Sequence, residues 1–134
     1  MSKIALGTVQ FGIDYGVNSV GGQVTPEEVK KILSYAHSKN IDLLDTAPAY
    51  GNSEKILGRM DISNFKVVTK TRHFDSLEIK NNDVKLLNND FYHSLGDLKQ
   101  DSVYGVLMHN ADDLLKPGAE KLYDHLQELK QAEK

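Results

Sequence analysis

The chain has 134 residues, enough for one domain, and its hydrophobic fraction (40%) and charged fraction (26%) are ordinary for a globular protein. Sixteen basic and nineteen acidic side chains give a formal net charge of −3 without a long run of one sign, so nothing favours binding to nucleic acid or a membrane surface. The absence of cysteine excludes disulfides and thiolate metal sites. Because the sequence contains neither a signal-peptide pattern nor an apolar run of spanning length, we expect a soluble, cytoplasmic protein.

The first predicted strand, residues 4–6, is followed by a long glycine-containing loop that runs to residue 24. Such loops are more often simple turns, but Phe11 and Tyr15 in this loop either pack locally or face a ligand. A strong helix start follows at residues 25–28, Thr-Pro-Glu-Glu, where the threonine caps, the proline takes the first helical position and a glutamate completes a capping box.

The stretch 41–54, IDLLDTAPAYGNSE, is the one around which the chain is organised. Its apolar start, residues 41–44, predicts a second strand that stops at Asp45, and Tyr50 follows in a turn that leads into a short helix. A carboxylate at the edge of an apolar core needs a partner, because an isolated buried charge costs several kcal/mol or more. The partner of Asp45 must therefore come from elsewhere in the chain.

Two later strand-like runs end beside candidate partners. Residues 65–69 predict a third strand that ends before Lys70, and residues 102–108 predict a fourth strand that ends before His109. Helical patterns separate and follow these strands, so the element order is β-α-β-α-β-α-β-α. This alternation predicts a parallel sheet with right-handed crossovers, either an open doubly wound sheet or part of a (β/α)8 barrel.

In both architectures ligands bind at the C-terminal ends of the strands. Taken singly, each residue has an ordinary explanation: a turn aspartate (Asp45), a packing tyrosine (Tyr50), a solvated lysine (Lys70) and a satisfied core histidine (His109). Taken together, they predict a site, because an ammonium group stabilises a nearby phenolate and a carboxylate holds the ammonium. A neutral imidazole would add a second donor to a carbonyl oxygen, which suits carbonyl reduction. An acid/base pair of Asp45 and His109 is the alternative chemistry, and the set has too few ligands for a metal.

Four stretches, in this order along essentially the whole chain, resemble the aldo/keto reductases: LGTVQFG (6–12), DTAPAYGNSE (45–54), VVTK (67–70) and LMHN (107–110). The second stretch is the most specific. The resemblance implies a (β/α)8 TIM barrel that uses NADPH (NADP) without a Rossmann fold to reduce a small-molecule aldehyde or ketone to an alcohol. It implies these catalytic roles: Tyr50 as proton donor, Lys70 and Asp45 as its tuning pair, and His109 as the group that orients the carbonyl.

The same resemblance implies that Gly7, Thr8 and Asp45 lie near the nicotinamide. From their positions in the loops after the first and third predicted strands, Phe11, Tyr15 and His73 are the residues expected in the wall of the substrate pocket.

The length of the chain limits these expectations. A (β/α)8 barrel typically needs about 250 residues, whereas residues 1–134 form a single domain of about four βα units. We therefore expect the N-terminal half of a barrel, a fragment that by itself turns over weakly or not at all. Four strands cannot close a barrel, and open edges invite pairing with another chain. The alternative prediction is a non-enzymatic half-barrel module that forms a homodimer through its exposed edge strands.

Overall fold

A computed structural model describes residues 4–16 and 21–134. Its four strands form one parallel sheet in the order β1-β2-β3-β4, which confirms the predicted α/β class. The strands are β1 (Leu6–Gly7), β2 (Leu43–Asp45), β3 (Lys66–Lys70) and β4 (Gly105–Leu107). The helices are α1 (Val9–Gly12), α2 (Pro26–Ser38), α3 (Ser53–Leu57), α4 (Asn81–Leu98) and α5 (Glu120–Gln131), with a 3-10 turn at Ala111–Leu115.

The three strands that precede α4 each end one residue later than predicted. The sheet register pairs Gly7 with Asp45, and Lys70 with Leu107, so Asp45 and Lys70 are the last residues of their strands. The predicted loop from residue 8 to 24 contains the short helix α1, and its residues 17–20 lie outside the described part of the chain. These boundaries depend on pairing between strands, which a local pattern does not report.

Helix α2 begins and ends where its capping residues indicate. The Thr25 side chain accepts a hydrogen bond from the Glu28 backbone N–H at 3.3 Å, and Pro26 is the first helical residue. Asn40, just past the helix, has a φ of 57°, the left-handed conformation that asparagine tolerates well. The predicted start and end of this helix are therefore confirmed.

The hydrophobic core lies between the helices and one face of the sheet. One cluster joins the sheet to α2 and α3 and includes Val29, Leu33, Leu44 and Leu57. A second cluster packs α4 against α5 and includes Phe91. Each fully buried side chain of this size contributes about 1.5–3 kcal/mol relative to its exposed state.

The other face of the sheet is only partly covered. Along β3 the side chains alternate, so that Val67 and Thr69 are buried towards the helices while Val68 and Lys70 are on the opposite face. Leu107, which pairs with Lys70 in the register, is 50% exposed. Parallel sheets normally have both faces covered, so this open face is the feature that positions the site.

Among the described residues, none of the helices combines the length and the apolar character that crossing a bilayer requires.

Candidate active site

Lys70 and Asp45 form the centre of the site because they end neighbouring parallel strands. The Lys70 Nζ donates hydrogen bonds to Asp45 Oδ1 and, at 3.0 Å, to the Thr46 carbonyl oxygen. The Lys70 side chain is 14% exposed and the Asp45 side chain 37% exposed, so the ion pair faces the open side of the sheet. The carboxylate therefore has the partner that the sequence required, and the ammonium group is held on two sides.

Tyr50 lies over this ion pair on the turn that leads into α3. The Lys70 Nζ is 4.9 Å from the centroid of the Tyr50 ring, within the range of a cation–π contact. The turn is closed by backbone hydrogen bonds from Tyr50 N–H to the Ala47 carbonyl and from Ser53 N–H to the Tyr50 carbonyl, at 3.0 and 3.1 Å. Gly51 has a φ of 59° in this turn, a conformation that favours glycine.

His109 completes the group from the loop that follows β4. Its ring centroid is 6.3 Å from that of Tyr50, with an edge-on angle of 70° between the rings. The His109 backbone N–H donates to Thr71 Oγ1 at 3.2 Å, which ties this loop to the end of β3. All four predicted catalytic residues thus lie together at the C-terminal ends of the strands.

The two further residues expected near a nicotinamide have different surroundings. Gly7 is exposed opposite Asp45, and a Cβ added there would have no atom within 4 Å, so the sheet surface beside Asp45 is open. Thr8 is fully buried. Its N–H and its hydroxyl group both donate to the Asp45 carbonyl oxygen at 3.0 Å. Thr8 therefore supports Asp45 from within the protein.

The three expected wall residues also differ from one another. Phe11 is only 3% exposed and packs in the core cluster with Leu44 and Leu57. Tyr15 is 57% exposed. His73 is 52% exposed, and its Nδ1 is 3.5 Å from the amide nitrogen of Asn110, the neighbour of His109. Through this contact with Asn110, His73 lies beside the loop that carries His109.

The sequence reasoning missed a group of buried polar side chains behind the site: Thr46, Ser53, Glu54, Thr69 and Ser94. Burial raises the pKa of Glu54 above its ordinary value of 4.5, although hydrogen bonds from Thr69 and Ser94 act in the opposite direction. Some of these residues stand inside the recognised stretches 45–54 and 67–70, where polar letters interrupt apolar runs. These polar residues within apolar runs are the signal from which the sequence could have indicated a buried polar group.

Within residues 4–16 and 21–134, no group of three or more His, Asp or Glu side chains could hold a metal ion.

A comparison with known protein families identifies the chain. The sequence profile described as the aldo/keto reductase family matches residues 3–132. The chain belongs to the aldo/keto reductase family. The family assignment and the TIM-barrel fold class are thereby confirmed, and the described residues form four parallel strands of that fold class.

Relatives of this aldo/keto reductase chain agree in fold. A solved structure from Pseudomonas aeruginosa, assigned as an aldo-keto reductase, is 30% identical and has a TM-score of 0.76 over 96% of this chain and 51% of its own. A Giardia lamblia aldose reductase, at 17% identity, has a TM-score of 0.56 over 82% of this chain and 44% of its own, and shows the fold alone. A curated relative, the oxidoreductase sirO of Leptosphaeria maculans, is 41% identical over 71 residues.

The aldo/keto reductase chain is shorter than these relatives. It spans about half the length of the Pseudomonas structure, and its match covers 22% of the Leptosphaeria protein.

Proposed function

We propose that this chain carries the carbonyl-reducing site of an NADPH-dependent oxidoreductase that converts an aldehyde or ketone to an alcohol. The observation that carries the proposal is the position of the Lys70 ammonium group, which contacts the Asp45 carboxylate and lies 4.9 Å from the centroid of the Tyr50 ring. A carboxylate, an ammonium group and a phenol in this arrangement suit proton donation by the phenol, because the ammonium group stabilises the phenolate. Membership of the aldo/keto reductase family supports the same reaction class.

Tyr50 is the proposed proton donor. When the carbonyl π bond breaks, the carbon gains a hydride and the oxygen must gain a proton. The Tyr50 O–H supplies that proton, and the Lys70 ammonium group stabilises the phenolate that remains. A positioned general acid typically contributes about 10²–10⁴-fold to a rate.

His109 and Asp45 have supporting roles in this proposal. The imidazole of His109, edge-on to Tyr50, donates a ring N–H to the same carbonyl oxygen, so that two donors stabilise the charge that develops there. Asp45 holds the ammonium group of Lys70 in place and compensates its charge.

NADPH supplies the hydride when it is bound. The open sheet surface at Gly7, directly opposite Asp45, fits a flat ring laid against the backbone, so Gly7 and Asp45 would hold the nicotinamide end. Because the chain spans only about half the length of the similar Pseudomonas structure, we expect the 134-residue chain to turn over weakly or not at all by itself.

The test uses Tyr50→Phe and Lys70→Met. We expect each change to lower aldehyde-dependent oxidation of NADPH by about 10²-fold or more, since each removes part of the general acid. His125→Asn, on α5, is the matched control and should leave the rate unchanged. NADPH oxidation is followed by absorbance, with the 134-residue chain at high concentration.

Full activity in Tyr50→Phe would contradict the proposal, because it would favour the alternative acid/base pair of Asp45 and His109, which does not need the phenol.

A second candidate function is self-association through the edges of the sheet. Within residues 4–16 and 21–134, β1 and β4 each have one strand neighbour, and the open face carries Leu107, which is 50% exposed. Strand edges that lack a neighbour are templates for pairing with another chain. We propose a second copy of this chain as the partner.

A further inference from the structure

We propose that Glu54 is a positioning residue, which fixes the Tyr50 turn relative to Lys70 through its hydrogen bond with Thr69. The proposal rests on the reductase function proposed above and adds to it a group that touches neither substrate nor cofactor.

Glu54 is unusual because it is a glutamate whose side chain is buried at the start of a helix. It is the second residue of α3 and is only 5% exposed. The Thr69 hydroxyl donates to Glu54 Oε1 at 2.6 Å, and the Ser94 side chain forms a second hydrogen bond with the carboxyl group. Thr69 and Ser94 are themselves 1% exposed. A carboxylate is costly to bury unless it is paired with an opposite charge as well as hydrogen-bonded, and the proposed proton transfer does not use Glu54.

On one side, Glu54 is linked to Tyr50 by a short stretch of chain. The Tyr50 carbonyl accepts the N–H of Ser53, the residue next to Glu54, at 3.1 Å. Only Gly51 and Asn52 lie between Tyr50 and the first residue of α3. The Tyr50 main chain therefore cannot shift without the first turn of α3.

On the other side, Glu54 is linked to Lys70 through the strand. Thr69 and Lys70 are neighbours in β3, and their side chains leave opposite faces of the sheet. Thr69 points to the helices and meets Glu54, while Lys70 points to the open face and meets Asp45. The hydrogen bond between Thr69 and Glu54 thus joins α3, which follows the Tyr50 turn, to the strand that carries the ammonium group.

The adjacent residue Ser53 connects α3 with the other two strands of the site. Its hydroxyl donates to the Thr8 carbonyl oxygen at 2.9 Å, and the Thr46 hydroxyl donates to Ser53 at 3.4 Å. Thr8 follows β1 and Thr46 follows β2. The first turn of α3 is therefore anchored to three strand ends, and Glu54 supplies the anchor on the strand of Lys70.

The experiment compares Thr69→Val with Ser94→Ala in the 134-residue chain. Each removes one hydroxyl partner of Glu54, but only Thr69 is in the strand of Lys70. The measurement is the nuclear Overhauser cross-peak between the Tyr50 ring protons and the Lys70 ε-methylene protons, assigned with Tyr50→Phe and Lys70→Met. We expect Thr69→Val to lose most of the cross-peak intensity and Ser94→Ala to keep it.

Variants of Glu54 itself provide a second comparison if Thr69→Val does not fold. Glu54→Gln keeps an oxygen that can accept from Thr69, so the cross-peak should remain. Glu54→Asp keeps the charge but is one methylene shorter, so the cross-peak should weaken.

The outcomes separate the two proposals. Absence of the cross-peak in the unmodified chain would contradict the proposed reductase site itself. A cross-peak of full intensity in Thr69→Val would overturn the positioning role alone. Equal losses in Thr69→Val and Ser94→Ala would also overturn it, because they would indicate general loosening and not a specific link.

Discussion

Two neighbouring residues of β3, Thr69 and Lys70, connect the site to two different acids. Lys70 contacts Asp45 on the open face, where the carboxylate is 37% exposed. Thr69 contacts Glu54 on the helix side, where the carboxyl group is 5% exposed. The two acids therefore differ in solvation: Asp45 is paired with a cation beside solvent, and Glu54 is held by hydroxyl groups in the core.

The burial of Glu54 predicts a pH-dependent stability. Because burial raises the pKa of Glu54 in the folded chain, the folded state binds more protons than the unfolded state from about pH 4.5 up to the raised value. The free energy of unfolding therefore decreases as pH rises through that window. Glu54→Gln lacks this dependence, so its stability relative to the unmodified chain should improve between pH 4 and pH 7.

Urea unfolding at both pH values measures this difference. The groups on α4 that also act on Glu54, Asp97 and His93, are present in both proteins, so their own titration largely cancels in the comparison. Asp124→Asn, at a solvent-exposed position on α5, is the control for general charge removal. A relative stability of Glu54→Gln that stays constant with pH would contradict the prediction.

At the scale of elements, the close approach of α1 to the Tyr50 turn is the contact most sensitive to a single atom. Gly12, the last residue of α1, is buried, and a Cβ added there would lie 1.6 Å from the Tyr50 carbonyl oxygen and 2.5 Å from the Ser53 nitrogen. Both atoms belong to the backbone, so they cannot move without the turn. Helix α1, which the sequence pattern did not predict, therefore packs directly on the element that carries the phenol.

Gly12→Ala should destabilise the chain and displace Tyr50. Overpacking of this kind typically costs about 1–3 kcal/mol. Gly96→Ala is the matched control, because a Cβ at Gly96 in α4 would meet nothing within 4 Å. Alanine is a better helix former, so the control should be more stable by about 0.5–1 kcal/mol. Urea unfolding measures the free energy of unfolding of both variants. If Gly12→Ala is as stable as the unmodified chain, or if both variants change the stability by the same amount, the contact has little influence.

At the scale of the whole molecule, the site and the open sheet face are the same surface. Asp45, Lys70 and Leu107 all lie on the face that the described helices leave partly uncovered. A parallel sheet with one uncovered face exposes apolar side chains that are normally buried. Whatever covers this face also determines how much solvent reaches the proposed proton donor.

Self-association of this chain predicts a dimer that depends on protein concentration. If a second copy pairs with the edges and covers the face, sedimentation velocity should detect a dimer whose fraction rises with protein concentration. Leu107→Asp should shift the equilibrium to monomer, because it adds a charge to the surface that a partner would bury. Leu77→Asp, at a position 90% exposed and remote in sequence from the edge strands, should not. A monomer at all concentrations would contradict this second candidate function.

The sequence alone determined the alternation of the strands with the later helices, the limits of α2 and the assembly of the four proposed catalytic residues. Helix limits are local, since Thr25, Pro26 and Asn40 act within one turn of the chain. The assembly followed from topology, because the C-terminal ends of neighbouring parallel strands meet at one edge of the sheet.

Only the tertiary structure decided which side chains face the site and which lie behind it. Phe11 and Thr8 were expected near ligands and are buried, while Glu54 and Thr69 meet across the core although fifteen residues separate them. Periodicity tells which face of an element is apolar but not which other element covers it. Burial and hydrogen bonding of this kind are fixed by contacts between distant residues, and a local pattern in the chain does not contain them.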